Sequence, residues 1–312
     1  MSSVSQKRPA IILSITYHQY RADEPAETGG WIRSSNTVAP LALKLRALEN
    51  FGWVGRLTAA RRLSVSLCLK GLQCKKIVPR ALRQMFPAHL HSCLEEPGGR
   101  RHGTEAVCAF RFILENLKRS DWTAVFFAHG DIAYNPSHAR SFRALGEYIA
   151  RPAATWAWAN SPSSPPGSEN FLFCGCDVVH ETLWPEYRWR WAMHASVRRF
   201  LNHSLAVGRD FQWPRAFMFG VDRRSVVRHS SGYYEQLYQL ARRGASVRRD
   251  DDRTESHNPN AFGHVLERLP FFLFAHTFEE SAQLASRPAC TSDALDRNHP
   301  RIRTPCSLDG AM

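Results

Sequence analysis

The stretch TAVFFAHGD, residues 123–131, decides the fold class of this chain. Residues 123–128 form an uninterrupted apolar run of strand length, which is typical of a strand buried on both faces of a parallel sheet. An amphipathic helix is predicted before it, over residues 104–119, and a second helix is predicted after a cap at Asn135. This order of helix, buried strand, loop and helix predicts an α/β fold with a mixed, mostly parallel sheet and helices on both faces.

The residues that end this strand are the first candidates for a functional site. His129, Gly130 and Asp131 follow the apolar run, and ligands of open parallel sheets bind outside the carboxyl ends of the strands. An imidazole and a carboxylate two residues apart can face one divalent cation, or one can orient a hydroxyl group while the other accepts a proton. The alternative is that Asp131 caps a turn and His129 hydrogen-bonds the loop backbone.

The start of the helix over residues 104–119 is a second candidate feature. Arg100, Arg101 and His102 precede it, and a helix N-terminus with flanking cations suits a phosphate group. Glu105 lies in the first turn, where a carboxylate also complements the helix dipole. The same residue therefore fits either a ligand site or a structural cap.

Glu267 is a charged residue on an otherwise apolar helix predicted over residues 261–269. Because a lone buried carboxylate costs several kcal/mol, it must find a partner or open onto a water-filled site. Arg268 points about 100° away around the helix, so it is a poor partner. We expect Glu267 to lie within reach of the loop that carries His129, as a catalytic carboxylate or as a member of an internal ion pair.

The division of the chain follows from its composition. Residues 1–280 are predicted to form a single α/β domain that includes further strands at 10–16 and 216–221. Residues 52–98 combine short apolar runs with many Arg residues, which predicts an irregular basic insertion. The segment 281–312 is rich in Pro, Ser, Asp and Arg without an apolar period, and this predicts a disordered tail.

The charge of the chain is strongly basic, with a formal net charge of +13 and a pI near 9.7. Such a charge suits an anionic substrate or a nucleic acid. Only six of the 41 basic residues are Lys, and a bias toward Arg also arises from genome composition. None of the usual nucleic-acid-binding motifs is present, so a nucleic-acid partner is disfavoured, and a solvated basic surface stays an alternative.

The sequence also bears on compartment. It has no run of 18 or more apolar residues, so no transmembrane helix is predicted, and the run at 10–16 is too short for a signal peptide. The eight cysteines lack a CxxC or a regular spacing, which favours mostly reduced thiols in a cytosol-like compartment. Residence in the Golgi or the endoplasmic reticulum stays an alternative, in which case an N-terminal anchor is missing from the sequence given.

Four motifs in this order resemble an uncharacterised eukaryotic domain-of-unknown-function family. Its members carry a Gly-x-Glu helix start, a strand of the "ITVFLHGD" type, an aromatic strand–helix unit and a late Glu-Arg before an aromatic segment. The corresponding positions here lie between residues 100 and 275. They are Gly103-Thr104-Glu105, the strand ending at His129-Gly130-Asp131, residues 217–226, and Glu267-Arg268.

The layout of that family is similar to GT-A glycosyltransferases, and this similarity implies transfer of a sugar from a nucleotide-sugar donor to a carbohydrate or protein acceptor. It implies catalytic roles for Asp131 and Glu267. Donor binding would fall to a larger set: Arg100, Arg101, His102, Glu105, His129 and Gly130. Asp131 with His129 would hold Mn²⁺ or Mg²⁺, although an imidazole in place of a first carboxylate lowers the charge available to the metal. The alternative is a non-catalytic sugar- or nucleotide-binding domain that has lost the metal site.

Overall fold

A computed structural model gives the fold of the chain. It describes residues 10–18, 51–60, 62–70, 91–94, 105–130, 171–173, 176–179, 211–214, 217–243, 245–248, 255–258, 261–267 and 273–274, with isolated positions between 139 and 150. The predicted tail at 281–312 lies outside these residues.

The described part of the chain contains both helices and strands. The helices are α1 (Gly52–Ala59), α2 (Glu105–Asn116), α3 (Arg223–Val227), α4 (Ser231–Arg242) and α5 (Ala261–Leu266). The strands are β1 (Ala10–His18), β2 (Leu63–Lys70), β3 (His91–Leu94), β4 (Trp122–His129), β5 (Phe171–Phe173), β6 (Cys176–Val179), β7 (Phe211–Pro214), β8 (Phe219–Asp222), β9 (Ala245–Arg248) and β10 (Glu255–Asn258). The strands predicted at 10–16, 123–128 and 216–221 correspond to β1, β4 and β8, and the helix predicted at 104–119 corresponds to α2.

Six strands form the main sheet in the order β3-β2-β1-β4-β8-β5. Strands β1, β2, β3 and β4 pair in parallel, whereas β8 pairs antiparallel with both β4 and β5. Five strands therefore run in one direction and β8 runs against them. The predicted α/β class with a mixed, mostly parallel sheet is confirmed.

The prediction of an irregular insertion at residues 52–98 is wrong. This segment supplies α1 and two strands of the main sheet, and β2 pairs with β1 along its whole length. The sequence of β2, LSVSLCLK, alternates apolar and small polar residues instead of forming one apolar run. Ser64 and Ser66 face the same side as Cys68 because alternate residues of a strand share a face. This alternation is itself a strand signal, and the prediction was wrong because it gave more weight to the arginines before the strand.

Helix α2 runs antiparallel to β4 along one face of the sheet. At one end, the first helical residue, Glu105, contacts His129, the last residue of β4. At the other end, the indole Nε1–H of Trp122, the first residue of β4, donates to the carbonyl oxygen of Asn116 at 3.2 Å. The N-terminus of α2 therefore lies over the carboxyl ends of the parallel strands.

Both faces of β4 are buried, as its apolar run predicts. Val125 and Phe127 belong to the core that includes α2 and α4, where Phe127 contacts Phe219 at a ring-centroid distance of 5.1 Å. Ala124, Phe126 and Ala128 lie on the opposite face and are equally buried. Three apolar residues in the segment of the predicted second helix are buried as well: Phe142, Leu145 and Ile149.

The prediction of reduced thiols fails for one pair of cysteines. Cys68 in β2 and Cys108 in α2 form a disulfide within the core. They are 40 residues apart, so their spacing carries no local signal. Only the fold, which places α2 over β2 and β1, brings the two sulfur atoms together.

Candidate functional site

His129 ends β4 at the carboxyl edge of the parallel strands. In register it pairs with Thr16 of β1, which pairs on its other side with Cys68 of β2. Residues paired in this way share a face, so the imidazole lies on the face that α2 covers. Ser14 and Ser66 are paired on the same face two residues nearer the middle of the strands, and both are buried.

Glu105 supplies a carboxylate directly to this imidazole. Its Oε1 lies 2.8 Å from Nε2 of His129, and the Glu105 side chain is only 8% exposed whereas that of His129 is 19% exposed. A carboxylate in the first turn of a helix is stabilised by the helix dipole and by the amide hydrogens there. A hydrogen bond from Nε2–H to a carboxylate fixes the imidazole tautomer, and the second ring nitrogen then has the acceptor role.

Glu267 lies directly after α5 and reaches the same place from a distant part of the sequence. Its backbone N–H donates to the carbonyl oxygen of Gly263 at 2.9 Å, which extends the last turn of α5. Its Oε1 accepts a hydrogen bond from the backbone N–H of Glu105 at 3.2 Å, across 162 residues of sequence. The Glu267 carboxylate therefore binds the N-terminus of α2, where its negative charge is favourable.

Three residues predicted from the sequence thus form one chain of contacts, from Glu267 to Glu105 to His129. Gly130 follows His129 and is buried. The other predicted site residues lie outside the described residues, so their positions stay predictions. They are Asp131, Arg100, Arg101 and His102.

The arrangement suits proton transfer and orientation of a polar ligand. Two carboxylates and an imidazole lie at a partly buried edge, where electrostatic interactions are stronger than in bulk water. The Glu105 carboxylate can stabilise a protonated His129, so the imidazole can accept a proton from a bound hydroxyl group. Within the described part of the chain, no group of three or more His, Cys, Asp or Glu side chains is arranged to hold a metal ion.

One feature at this edge was not predicted. Phe217 precedes β8, lies beside Phe127 at a ring-centroid distance of 6.2 Å, and has a φ of 55°. This left-handed conformation is rare for a residue other than glycine and costs about 1–2 kcal/mol. Since β8 runs antiparallel to β4, the strained residue lies at the same edge as His129. Nothing in the local sequence indicates a positive φ at a phenylalanine.

No protein-family model matches the chain, and no curated protein matches it at a significant level. Among the residues that the structure describes, no helix is both long and apolar enough to cross a membrane.

Proposed function

We propose that the chain transfers a sugar from a nucleotide-sugar donor and that its site lies at the carboxyl edge of β4. The observation that carries the proposal is the chain of contacts that joins Glu267, Glu105 and His129 at this edge. Polar residues from three separate parts of the sequence meet where α/β sheets bind ligands. We also propose a GT-A-like layout with helices on both faces of the sheet, and the strand order, with β8 antiparallel beside β4, supports its mixed sheet.

In the proposed reaction, His129 is the general base. The oxygen of an acceptor hydroxyl group attacks the anomeric carbon of the donor, and its proton passes to the imidazole. The bond from the anomeric carbon to the diphosphate oxygen breaks, and the nucleoside diphosphate leaves with the electron pair. Glu105 stabilises the imidazolium ion that forms, because its carboxylate is in hydrogen-bond contact with Nε2.

The remaining residues have binding and positioning roles in this proposal. Asp131 and the Glu105–His129 pair orient the donor, and Arg100, Arg101 and His102 offset the charge of the diphosphate. Glu267, which the family resemblance implied as a catalytic carboxylate, is assigned a positioning role instead, since it binds the backbone of α2. Asp131 with His129 would hold Mn²⁺ or Mg²⁺ if the site takes a metal, and the steps above are assigned to residues of the chain alone.

A non-catalytic sugar- or nucleotide-binding domain is the second candidate. The engagement of both carboxylates favours it: Glu267 binds the helix backbone and Glu105 binds the imidazole. Carboxylates used in this way stabilise a rigid site without taking part in bond cleavage. Such a domain would bind the donor and leave it intact.

Two measurements separate these candidates. The first is calorimetric titration with a panel of nucleotide sugars, with and without Mn²⁺, and the second is an assay of nucleoside diphosphate release. Binding with release of the nucleoside diphosphate supports the transferase, and binding without release supports the non-catalytic domain. If no nucleotide sugar binds under either condition, both candidates are wrong.

The substitution Asp131→Asn tests the proposed role of this residue in orienting the donor. We expect it to abolish donor binding and to leave the circular dichroism spectrum unchanged, because the residue follows the buried strand and does not belong to it. An unfolded variant, together with a wild type that binds neither nucleotide nor metal, would mean that Asp131 is structural.

A further inference from the structure

The disulfide and the candidate site lie on one row of the sheet. Thr16 is the register partner of Cys68 on one side and of His129 on the other. These three residues therefore share a face, and neighbouring strands lie about 4.8 Å apart. Cys68 and His129 are thus separated by about 10 Å along a line that crosses β2, β1 and β4.

Helix α2 is attached to both ends of this row through its first turn. Cys108 is bonded to Cys68, and Glu105 contacts His129. Residues three apart lie on the same side of a helix, with Cβ atoms about 5–6 Å apart. The disulfide therefore holds Cys108 close to β2, and the longer side chains of Glu105 and His129 bridge the distance between α2 and the end of β4.

We propose that the Cys68–Cys108 disulfide positions the Glu105–His129 pair. A helix rotates by about 100° per residue, so a covalent bond at Cys108 fixes which side of the first turn faces the sheet. That bond also fixes the height of the turn above β1 and β2. Glu105 is then directed at His129, and its backbone N–H is directed at Glu267.

Burial indicates a permanent bond. Cys68 is 2% exposed and Cys108 is fully buried, so neither sulfur is presented to a thiol in solution. The bond acts as a fixed connection between α2 and β2. This inference rests on the proposed function only for the catalytic role of the Glu105–His129 pair. The positioning of the pair by the disulfide has a separate readout.

The test uses two variants without the disulfide and one matched control. The first variant is Cys68→Ala/Cys108→Ala, and the second, Cys68→Val/Cys108→Ala, refills part of the lost volume. The control is Leu237→Ala, which opens a cavity in the buried side of α4, the helix packed on α2, and leaves the disulfide in place. All three are compared with the wild-type chain.

The readout is solvent exchange of the imidazole Nε2–H of His129 by nitrogen-15 NMR, with the signal identified by its loss in His129→Gln. Amide exchange of Glu105 is followed in the same samples. In both cysteine variants we expect both exchange rates to rise by about ten-fold or more, as for a turn that opens locally. In Leu237→Ala we expect them to stay close to the wild-type rates.

Three results would overturn the positioning role. They are unchanged exchange in folded cysteine variants, an equal rise in Leu237→Ala, and failure of both cysteine variants to fold, which would make the bond a support of the whole core. A wild-type chain that binds no nucleotide sugar but shows the expected exchange pattern would overturn the proposed function alone.

Discussion

At the scale of single residues, the sheet depends on a glycine that faces an aromatic ring. Gly220 of β8 is the register partner of Phe126 of β4, and a Cβ atom added at Gly220 would overlap the Phe126 ring. That ring is fully buried, so it cannot move without disturbing its neighbours. We expect Gly220→Ala to lower the free energy of unfolding by about 1–3 kcal/mol in urea denaturation.

Gly232 provides the control for this substitution. It lies exposed near the start of α4, where the nearest atom to an added Cβ would be the Ser230 hydroxyl oxygen at 3.8 Å. Gly232→Ala should leave stability unchanged or raise it by about 0.5 kcal/mol, because alanine restricts the unfolded chain. Equal effects at the two positions would show that the contact with Phe126 has no importance.

Asp222 gives the stability of the chain a pH dependence that can be isolated. Its carboxylate caps α3 by accepting from the Ser225 N–H at 2.7 Å, and burial raises its pKa above the ordinary value of 3.8. Because the folded chain binds the Asp222 proton more tightly than the unfolded chain does, the protonated carboxyl group stabilises the fold. This contribution is complete below about pH 3.8 and is lost as the pH rises through the folded-state pKa. The contact with Arg224 opposes part of this shift.

The substitution Asp222→Asn keeps an oxygen acceptor for the cap and removes the ionisation. The difference in unfolding free energy, wild type minus variant, should therefore fall as the pH rises from about 3.5 to 7. Urea denaturation of both chains across this range measures the difference. A difference that rises with pH would mean that hydrogen bonds and Arg224 outweigh burial.

At the scale of elements, α2 organises the site because its first turn and its last residue are both attached to the sheet, the first through Glu105 and Cys108 and the last through Asn116.

Loss of the Cys68–Cys108 disulfide frees a loop of 40 residues in the unfolded chain. By the loop-entropy relation, the double Ala variant should lose about 4 kcal/mol of unfolding free energy. Denaturation without reductant checks this value, and an unchanged midpoint would mean that the bond contributes nothing to the folded chain.

The elements also show which patterns could be predicted from sequence. The continuous apolar run of β4 and the helical period of α2 were sufficient to predict both elements. Strand β2 has the alternation of a strand, but it was not predicted because arginines precede it and its burial comes from neighbours distant in sequence. Glu105, His129 and Glu267 were recognised one by one from local chemistry. Their mutual contacts, like the disulfide, arise from tertiary packing that no local period encodes.

At the scale of the whole molecule, the sequence predicts that residues 281–312 do not contribute to the fold. Deletion of residues 281–312 should change the melting temperature by less than about 2 °C, because that segment lacks an apolar period. Differential scanning calorimetry of the two chains makes the comparison. A larger decrease would mean that the segment packs against the domain.

The central claim is that the carboxyl edge of β4, at Glu105 and His129, is the functional site. Calorimetric titration of one bound nucleotide sugar into the wild type, Glu105→Gln and Glu115→Gln tests it most directly. Glu115 lies on the same helix but near its other end, where it is exposed and paired with Arg111, so it receives the same chemical change away from the site. We predict that Glu105→Gln weakens the affinity at least about ten-fold, a loss of about 1.4 kcal/mol of binding free energy. The affinity of Glu115→Gln should be unchanged. Equal affinities for the two folded variants would contradict the claim.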